Sequence, residues 1–194
     1  MTSPVRATRP GGRTARVRAA VLDAVAAELC DHGFDGLSVD GVAARAGVHR
    51  ATVYRRWRDV GGLLADTLAA ARQAPWDPPD TGTLETDLVA INREVYTALS
   101  GGSPVTLALI GASFRSAEAA SALREFWADR LRRSAVVVHR AALRGEIRDG
   151  VDPHQVIVTA SAPLYHGVVL LGDVMPPAVA EDYARIAARA FHRG

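Results

Sequence analysis

The sequence predicts an all-α protein, with a small N-terminal helix-turn-helix head on a larger helical body, and three observations carry that reading. Apolar residues recur at helical spacing, as in Val17, Val21, Val25 and Leu29 and again in Leu84, Leu88, Ile91, Val95 and Leu99. No stretch alternates apolar and polar residues in the manner of a strand. Capping residues stand where helices are expected to begin, at Ser38, Asp59 and Asp152-Pro153. With 194 residues, 48% of them hydrophobic, the chain can bury a substantial core and is not a disordered protein.

Residues 1–13 hold Pro4, Pro10, Gly11 and Gly12 among Arg6, Arg9 and Arg13, and read as a flexible basic arm, suited to a minor groove or simply an untethered tail. A first helix follows from Thr14 to His32 and ends at Gly33, with Phe34 and Leu37 closing its core and Cys30 read as a packing residue. Ser38 caps a short helix that puts Val39, Val42, Ala43 and Ala46 on one face. Gly47 supplies the turn and Val48 drops into the same core. In the next helix Val53 and Trp57 form a narrow apolar stripe, leaving Arg50, Thr52, Arg55 and Arg56 outward. Residues 14–58 thus form the head. Asp59 caps a connecting helix over 59–73, in which Leu63, Leu64 and Leu68 are apolar and Gly61 and Gly62 soften the start.

The linker is clearest at Ala74-Pro75-Trp76-Asp77-Pro78-Pro79-Asp80, and 74–194 is read as the body. Five helices are expected there, over about 83–99, 104–115, 117–145, 153–171 and 177–192, two of them starting at Ser103-Pro104 and Asp152-Pro153. Leu123, Trp127, Leu131, Ser134 and Val138 make one stripe of the longest. The run from Val156 to Leu171 is the nearest approach to a membrane span, but Ser161, Pro163 and His166 interrupt it and it reads as a buried helix.

All 23 basic residues are arginine, against 21 acids, for a net charge of +2. The distribution is uneven: residues 1–58 hold ten Arg and five acids, and residues 59–194 hold thirteen Arg and sixteen acids. Positive potential concentrated on the head suits a polyanion such as nucleic acid, although an exposed arginine face is also the ordinary look of a solvated helix. The single cysteine excludes an intrachain disulfide framework, and no leader-like apolar run follows the N-terminal arginines, so a reducing cytoplasm is expected. The six histidines form no His-Glu-x-x-His or Cys/His cluster, and no lysine exists for a phosphate loop. Nothing forms a nucleophile elbow, and acids such as Glu125 and Asp129 have arginine neighbours at helical spacing. No enzyme activity, metal or cofactor is therefore expected, and membrane is not an expected partner.

Gly47, Val48, Thr52, Val53, Tyr54 and Trp57, followed by Leu63 and Leu64, resemble the DNA-binding segment of the TetR (tetracycline-repressor-like) family. The resemblance is specific over about 14–68 and architectural beyond. It implies a one-component regulator of transcription that binds double-stranded DNA at a palindromic operator, commonly a repressor released by a small molecule. An activator, a ligand-independent regulator, or an all-α enzyme with an incidental basic head are the alternatives. Site roles carried over residue by residue put Arg50 and Arg55 against base edges and Thr52, Tyr54 and Arg56 on the phosphate backbone. Ala51 is placed to meet a thymine methyl, and Ser38 and His49 complete the DNA-binding set at the two helix starts. The chain departs from the family at His49, where Ser or Thr is usual, and at Val60, where a phosphate-binding Lys is usual, leaving Arg58 to supply that contact.

The helix over 153–171 is apolar on nearly all sides, more than one chain covers easily, and the family pairs its last two long helices into a four-helix bundle. A homodimer follows from both. The resemblance further implies an effector site within 83–172. Tyr96, Phe114, Phe126, Trp127, Tyr165 and His166 are its expected lining, because aromatic rings offer apolar area and Tyr, Trp and His can each hold one polar group. The expected effector is apolar or aromatic, since no charged cluster converges on these helices in the pattern.

Overall fold

The structure is a computed structural model that describes residues 11–100 and 105–194. Most of the basic arm and the Ser103-Pro104 start lie outside those residues. Helix α1 (Gly11–Gly36) is broken at Gly33, where φ is 67°. It is followed by α2 (Val39–Ala46), α3 (Arg50–Trp57) and α4 (Val60–Gln73). The body comprises α5 (Leu84–Ser100), α6 (Val105–Ser113), α7 (Ala117–Leu143), α8 (Pro153–Tyr165) and α9 (Pro177–Phe191). No strand occurs among the described residues; residues 146–148 only touch the chain end through one bridge, Ile147 to His192.

Two clusters explain the architecture. The first gathers Val25 and Leu29 of α1, Val42 of α2, Val53 and Trp57 of α3, and Leu63, Leu64 and Leu68 of α4, and continues into the body through Leu109, Ala112 and Ala119. The second joins α5, α7, α8 and α9 through Leu88, Val137, Val156 and Ala184, all without solvent exposure. The small side chains of Ala180, Ala184, Ala187 and Ala188 let α9 lie close on α5. Asn92 sits buried between them, its Nδ2 donating to the carbonyls of Ala160 and Ala180, each at 2.9 Å. It thereby ties α5 to α8 and α9 at once.

The linker is pinned rather than loose. Arg133 donates to the carbonyls of Arg72, Ala74 and Trp76, and Arg140 to that of Pro79 at 3.0 Å. The indole of Trp76 donates to Glu94 at 2.7 Å, and the backbone N–H and hydroxyl of Thr81 both donate to the buried Asp87 at 2.7 Å. The head also touches the body at a second place: α6 packs on α1, and Arg115 pairs with Asp35. Helix α4 is therefore not the only connection between head and body among the described residues.

Three other expectations are corrected. The helix from Pro153 does not run as α-helix to Leu171: from His166 to Leu171 it widens into a π-helical end. Pro163 has no N–H to give the preceding turn, and the Gly172 N–H closes the end on the Gly167 carbonyl five residues back. Nor is this segment simply buried. Residues 153–171 are long and apolar enough by composition to cross a membrane, with only 28% of that window buried, and Val158, Leu170 and Leu171 are exposed while Val156, Ile157, Ala160 and Leu164 face inward. Cys30 is exposed on α1 rather than packed.

Candidate nucleic-acid interface and effector site

Local chemistry shapes the helix-turn-helix. Ser38 Oγ accepts the Gly41 N–H at 3.0 Å and starts α2. Gly47, at φ 62° and ψ 31°, ends it in the left-handed conformation that glycine adopts without strain, and the Val48 N–H returns to the Ala43 carbonyl at 3.0 Å. His49 does cap α3, through its ring: Nδ1 accepts the Ala51 N–H at 3.3 Å. Val53 and Trp57 are buried and fix the rotation of α3, so the opposite face is set by elimination.

That face carries His49, Arg50, Ala51, Tyr54, Arg55 and Arg56, all exposed, with Thr52 half-buried. Arg50 lies 5.5 Å over the Tyr54 ring and pairs with Asp40 of α2 at 3.4 Å. Arg56 lies 5.0 Å over the Trp57 ring. Arg55 makes no ion pair among the described residues, so its guanidinium is available to a ligand. Six of the expected DNA-facing residues are thus exposed along α3 and its N-cap, with Thr52 half-buried and Ser38 exposed at the start of α2.

The recognition helix is anchored from behind. Asp66 of α4 accepts the Trp57 indole N–H at 2.9 Å and a two-pronged contact from Arg18 of α1 at 2.6–3.1 Å. Burial opposes ionisation of Asp66, but the hydrogen bonds from Arg18 and Trp57 and the charges of Arg18 and Arg56 outweigh it, holding the carboxyl below its usual range. Sequence reading missed Asp66; its place one turn beyond Leu63 and near Trp57 in sequence was the available signal. Between the helices, Arg58 occupies φ 64° and the Asp59 N–H reaches the Trp57 carbonyl at 2.7 Å, a tight turn. A Cβ at Gly62 would overlap that same Trp57 carbonyl, so the glycine at the start of α4 allows close approach.

Of the expected effector lining, the structure brings together Phe126, Trp127 and Tyr165. The Trp127 ring meets Phe126 edge-on at 5.2 Å and Tyr165 edge-on at 5.1 Å. Tyr96 packs nearby in the cluster of Leu99, Leu164 and Tyr165, its hydroxyl donating to the Met175 carbonyl at 2.8 Å. Phe114 stands apart: it follows the end of α6 and is 79% exposed. His166 is also exposed, at the start of the π-helical end. Trp127 additionally borders an open cleft of about 700 Å³ along α7, shared with Leu131, Ala135, His139 and, from the start of α8, Pro153 and His154.

Sequence reading also passed over Arg130 and Trp76. The Arg130 guanidinium stacks on the Trp76 ring at 4.2 Å and lies 5.7 Å from Phe126, with Arg133 also over Trp76 at 5.4 Å. Burial, and then the like charge of Arg133, push Arg130 below the usual arginine range.

Comparison with known proteins agrees with this geometry. Residues 21–67 match the family model described as bacterial regulatory proteins, tetR family, and residues 78–187 match the tetracyclin repressor-like C-terminal domain. The HTH-type transcriptional regulator AqdR of Rhodococcus erythropolis is 34% identical over 180 residues, covering 91% of this chain and 86% of that protein. The crystal structure of the TetR family transcription regulator SCO0332 superposes with a TM-score of 0.69 at 28% identity, covering 90% of this chain and 97% of that one. SmeT, the repressor of the Stenotrophomonas maltophilia multidrug efflux pump SmeDEF, shares the fold with a TM-score of 0.62 at 21% identity, over 91% of this chain and 90% of its own. With both the head and the body matched, this chain belongs to the TetR family of DNA-binding transcriptional regulators.

Proposed function

We propose that the protein is a homodimeric repressor of a palindromic operator, released when a small effector enters the body. The observation that carries this reading is the exposed arginine face of α3, held at fixed rotation by Val53, Trp57 and Asp66. Arg50 and Arg55 are the residues for bidentate contacts to guanine, and Thr52, Tyr54, Arg56 and the Ser38 and His49 helix starts for the backbone. Ala51 offers its methyl to thymine. Arg58, exposed beside the start of α4, takes the place of the missing lysine.

The second copy is expected on the face of α8 and α9 that carries Val158 and Ile186, both exposed, with Ala162, Ala178 and Ala190 between the bulky groups. A two-fold axis there sets the two α3 helices to read half-sites about 34–36 Å apart. Division of labour follows the notional boundaries 1–13, 14–58, 59–73 and 74–194, with α4 packed along α7 to pass a shift from body to head. The SmeT–triclosan complex is a case of this fold holding a small molecule; for this chain we take Tyr96, Phe126, Trp127 and Tyr165 as the effector lining because they pack close together. An effector releases DNA only if it binds the non-DNA-binding arrangement more tightly, with a coupling of about 1–3 kcal/mol. Such a regulator works in the cytoplasm.

The test is a salt titration of binding to duplexes from the promoter regions beside the gene. A site containing an inverted repeat should bind far more tightly than random duplex, with affinity falling steeply and log-linearly with salt. Equal affinity for both duplexes would end the operator reading.

A further inference from the structure

Arg130 is the one guanidinium in the described body with a buried nitrogen left unused. Its Nη1 is closed off from solvent and has no hydrogen-bond partner. Stacking on Trp76 engages the flat face of the group and leaves its N–H edge unsatisfied. The carboxylates around it are already engaged: Glu94 accepts the Trp76 indole, and Asp129 pairs with Arg132 and Arg133. Arg133, the cation beside it, spends its donors on the linker carbonyls. Tyr165, whose ring meets Trp127 edge-on, has a hydroxyl with no hydrogen bond among the described residues.

A donor nitrogen closed off from water without an acceptor is costly, and neither the stacking on Trp76 nor the nearby charges of Glu94 and Asp129 supply that acceptor. Resting on the reading of this body as an effector site, we propose that Arg130 is the anion-recognising group of that site. Its effector is then an organic acid: a carboxylate meeting Arg130 Nη1 and the Tyr165 hydroxyl, on an aromatic or apolar body packed against Trp127 and Phe126. It departs from the expected apolar or aromatic effector by one charged group. The electrostatics agree: burial pushes Tyr165 up, so its phenol keeps a proton to donate, and a negative charge beside Arg130 would offset the burial and the Arg133 repulsion that depress it.

The experiment uses the full chain and two matched pairs of probes, 2-naphthoate with 2-naphthamide and decanoate with decanamide, titrated by calorimetry and tryptophan fluorescence. Each acid should bind at least ~10-fold more tightly than its amide, the size expected of one charge-assisted contact. Arg130→Gln and Arg130→Met, checked for helicity by circular dichroism, should abolish that preference while retaining amide binding, and Arg133→Gln should keep the preference. A residue that merely clamps Trp76 would weaken acid and amide alike. Equal affinities in the wild-type chain, a preference that survives both Arg130 variants, or no acid binding even in the millimolar range would each overturn the proposal. Operator binding is measured in parallel. An acid that binds through Arg130 without loosening operator contradicts induction by that acid and leaves the anion site standing, whereas operator binding with no acid preference does the reverse.

Discussion

The indole Nε1 of Trp57 donates to Oδ2 of Asp66 at 2.9 Å, tethering the last residue of the recognition helix to the helix that leads out of the head. The same carboxylate holds Arg18, so α1, α3 and α4 meet on one side chain. Asp66→Ala leaves both donors without an acceptor and is expected to cost about 1–3 kcal/mol in denaturant unfolding. Because it frees the rear of α3 without touching DNA, it should weaken operator and random duplex alike. A loss confined to operator would show that Asp66 acts some other way.

Acid should expose the same contact. The folded-state pKa of Asp66 lies below its unfolded value, so its contribution to stability is complete above about pH 4 and is lost as pH falls through the folded pKa. Thermal melts of the wild type should therefore drop more steeply between about pH 4 and 2 than those of Asp66→Asn, in which the titrating group is gone. Parallel profiles would refute the assignment.

Arg50 is held in place before DNA arrives, by Asp40 at 3.4 Å and by the Tyr54 ring. Asp40 is an exposed negative charge beside Arg50 that duplex DNA at this surface would have to displace or tolerate. Asp40→Asn is therefore expected to tighten binding to all duplexes, as measured by fluorescence anisotropy. Arg50→Ala and Arg55→Ala should each cost about 1–3 kcal/mol on operator and relax preference at one base pair per half-site. Arg56→Ala should weaken all sequences alike and lower the salt slope by about 1. Uniform losses for all three arginines would overturn that division.

Ile186 is 56% exposed on α9. Val158 of α8 is exposed as well, so both helices present apolar area to water. Ile186→Asp places a charge where the second copy would pack, and should give a monomer in sedimentation at micromolar concentration while leaving the helical content intact. Operator affinity should fall by orders of magnitude, since the two heads no longer bind as one. A variant that remains dimeric would move the interface elsewhere.

Much of this architecture was legible because the signals are local. Ser38, Asp59 and Asp152 cap the very helices their side chains announce, and Gly47 turns where a left-handed residue was needed. The outward set on α3 was legible for the same reason: on an eight-residue helix, burying Val53 and Trp57 leaves most other positions facing solvent. The aromatic set was only half legible. Trp127 and Tyr165 meet because α7 and α8 cross, whereas Phe114 lies just past the end of α6 where no helix covers it, and spacing along the chain does not encode crossings. Arg130 and Trp76 escaped because an arginine on a helix and a tryptophan in a proline-rich linker each look like surface; only their stacking shows otherwise. Pro163 did advertise the weakness that becomes the π-helical end, but not the form it takes.

The apolar cluster that runs from Val25 through Leu64 to Leu109 and Ala119 has no seam between head and body. Leu63, Leu64 and Leu68 are shared property: the head borrows one side of its interior from α6 and α7. Head and body thus share interior despite a proline-rich stretch between them, and unfolding the head would uncover Leu109, Ala112 and Ala119. An excised head would carry a wet apolar flank, prone to clumping. In the proposed switch this shared interior is an advantage, because it gives a shift in the body a packed route to α3 in place of a slack joint.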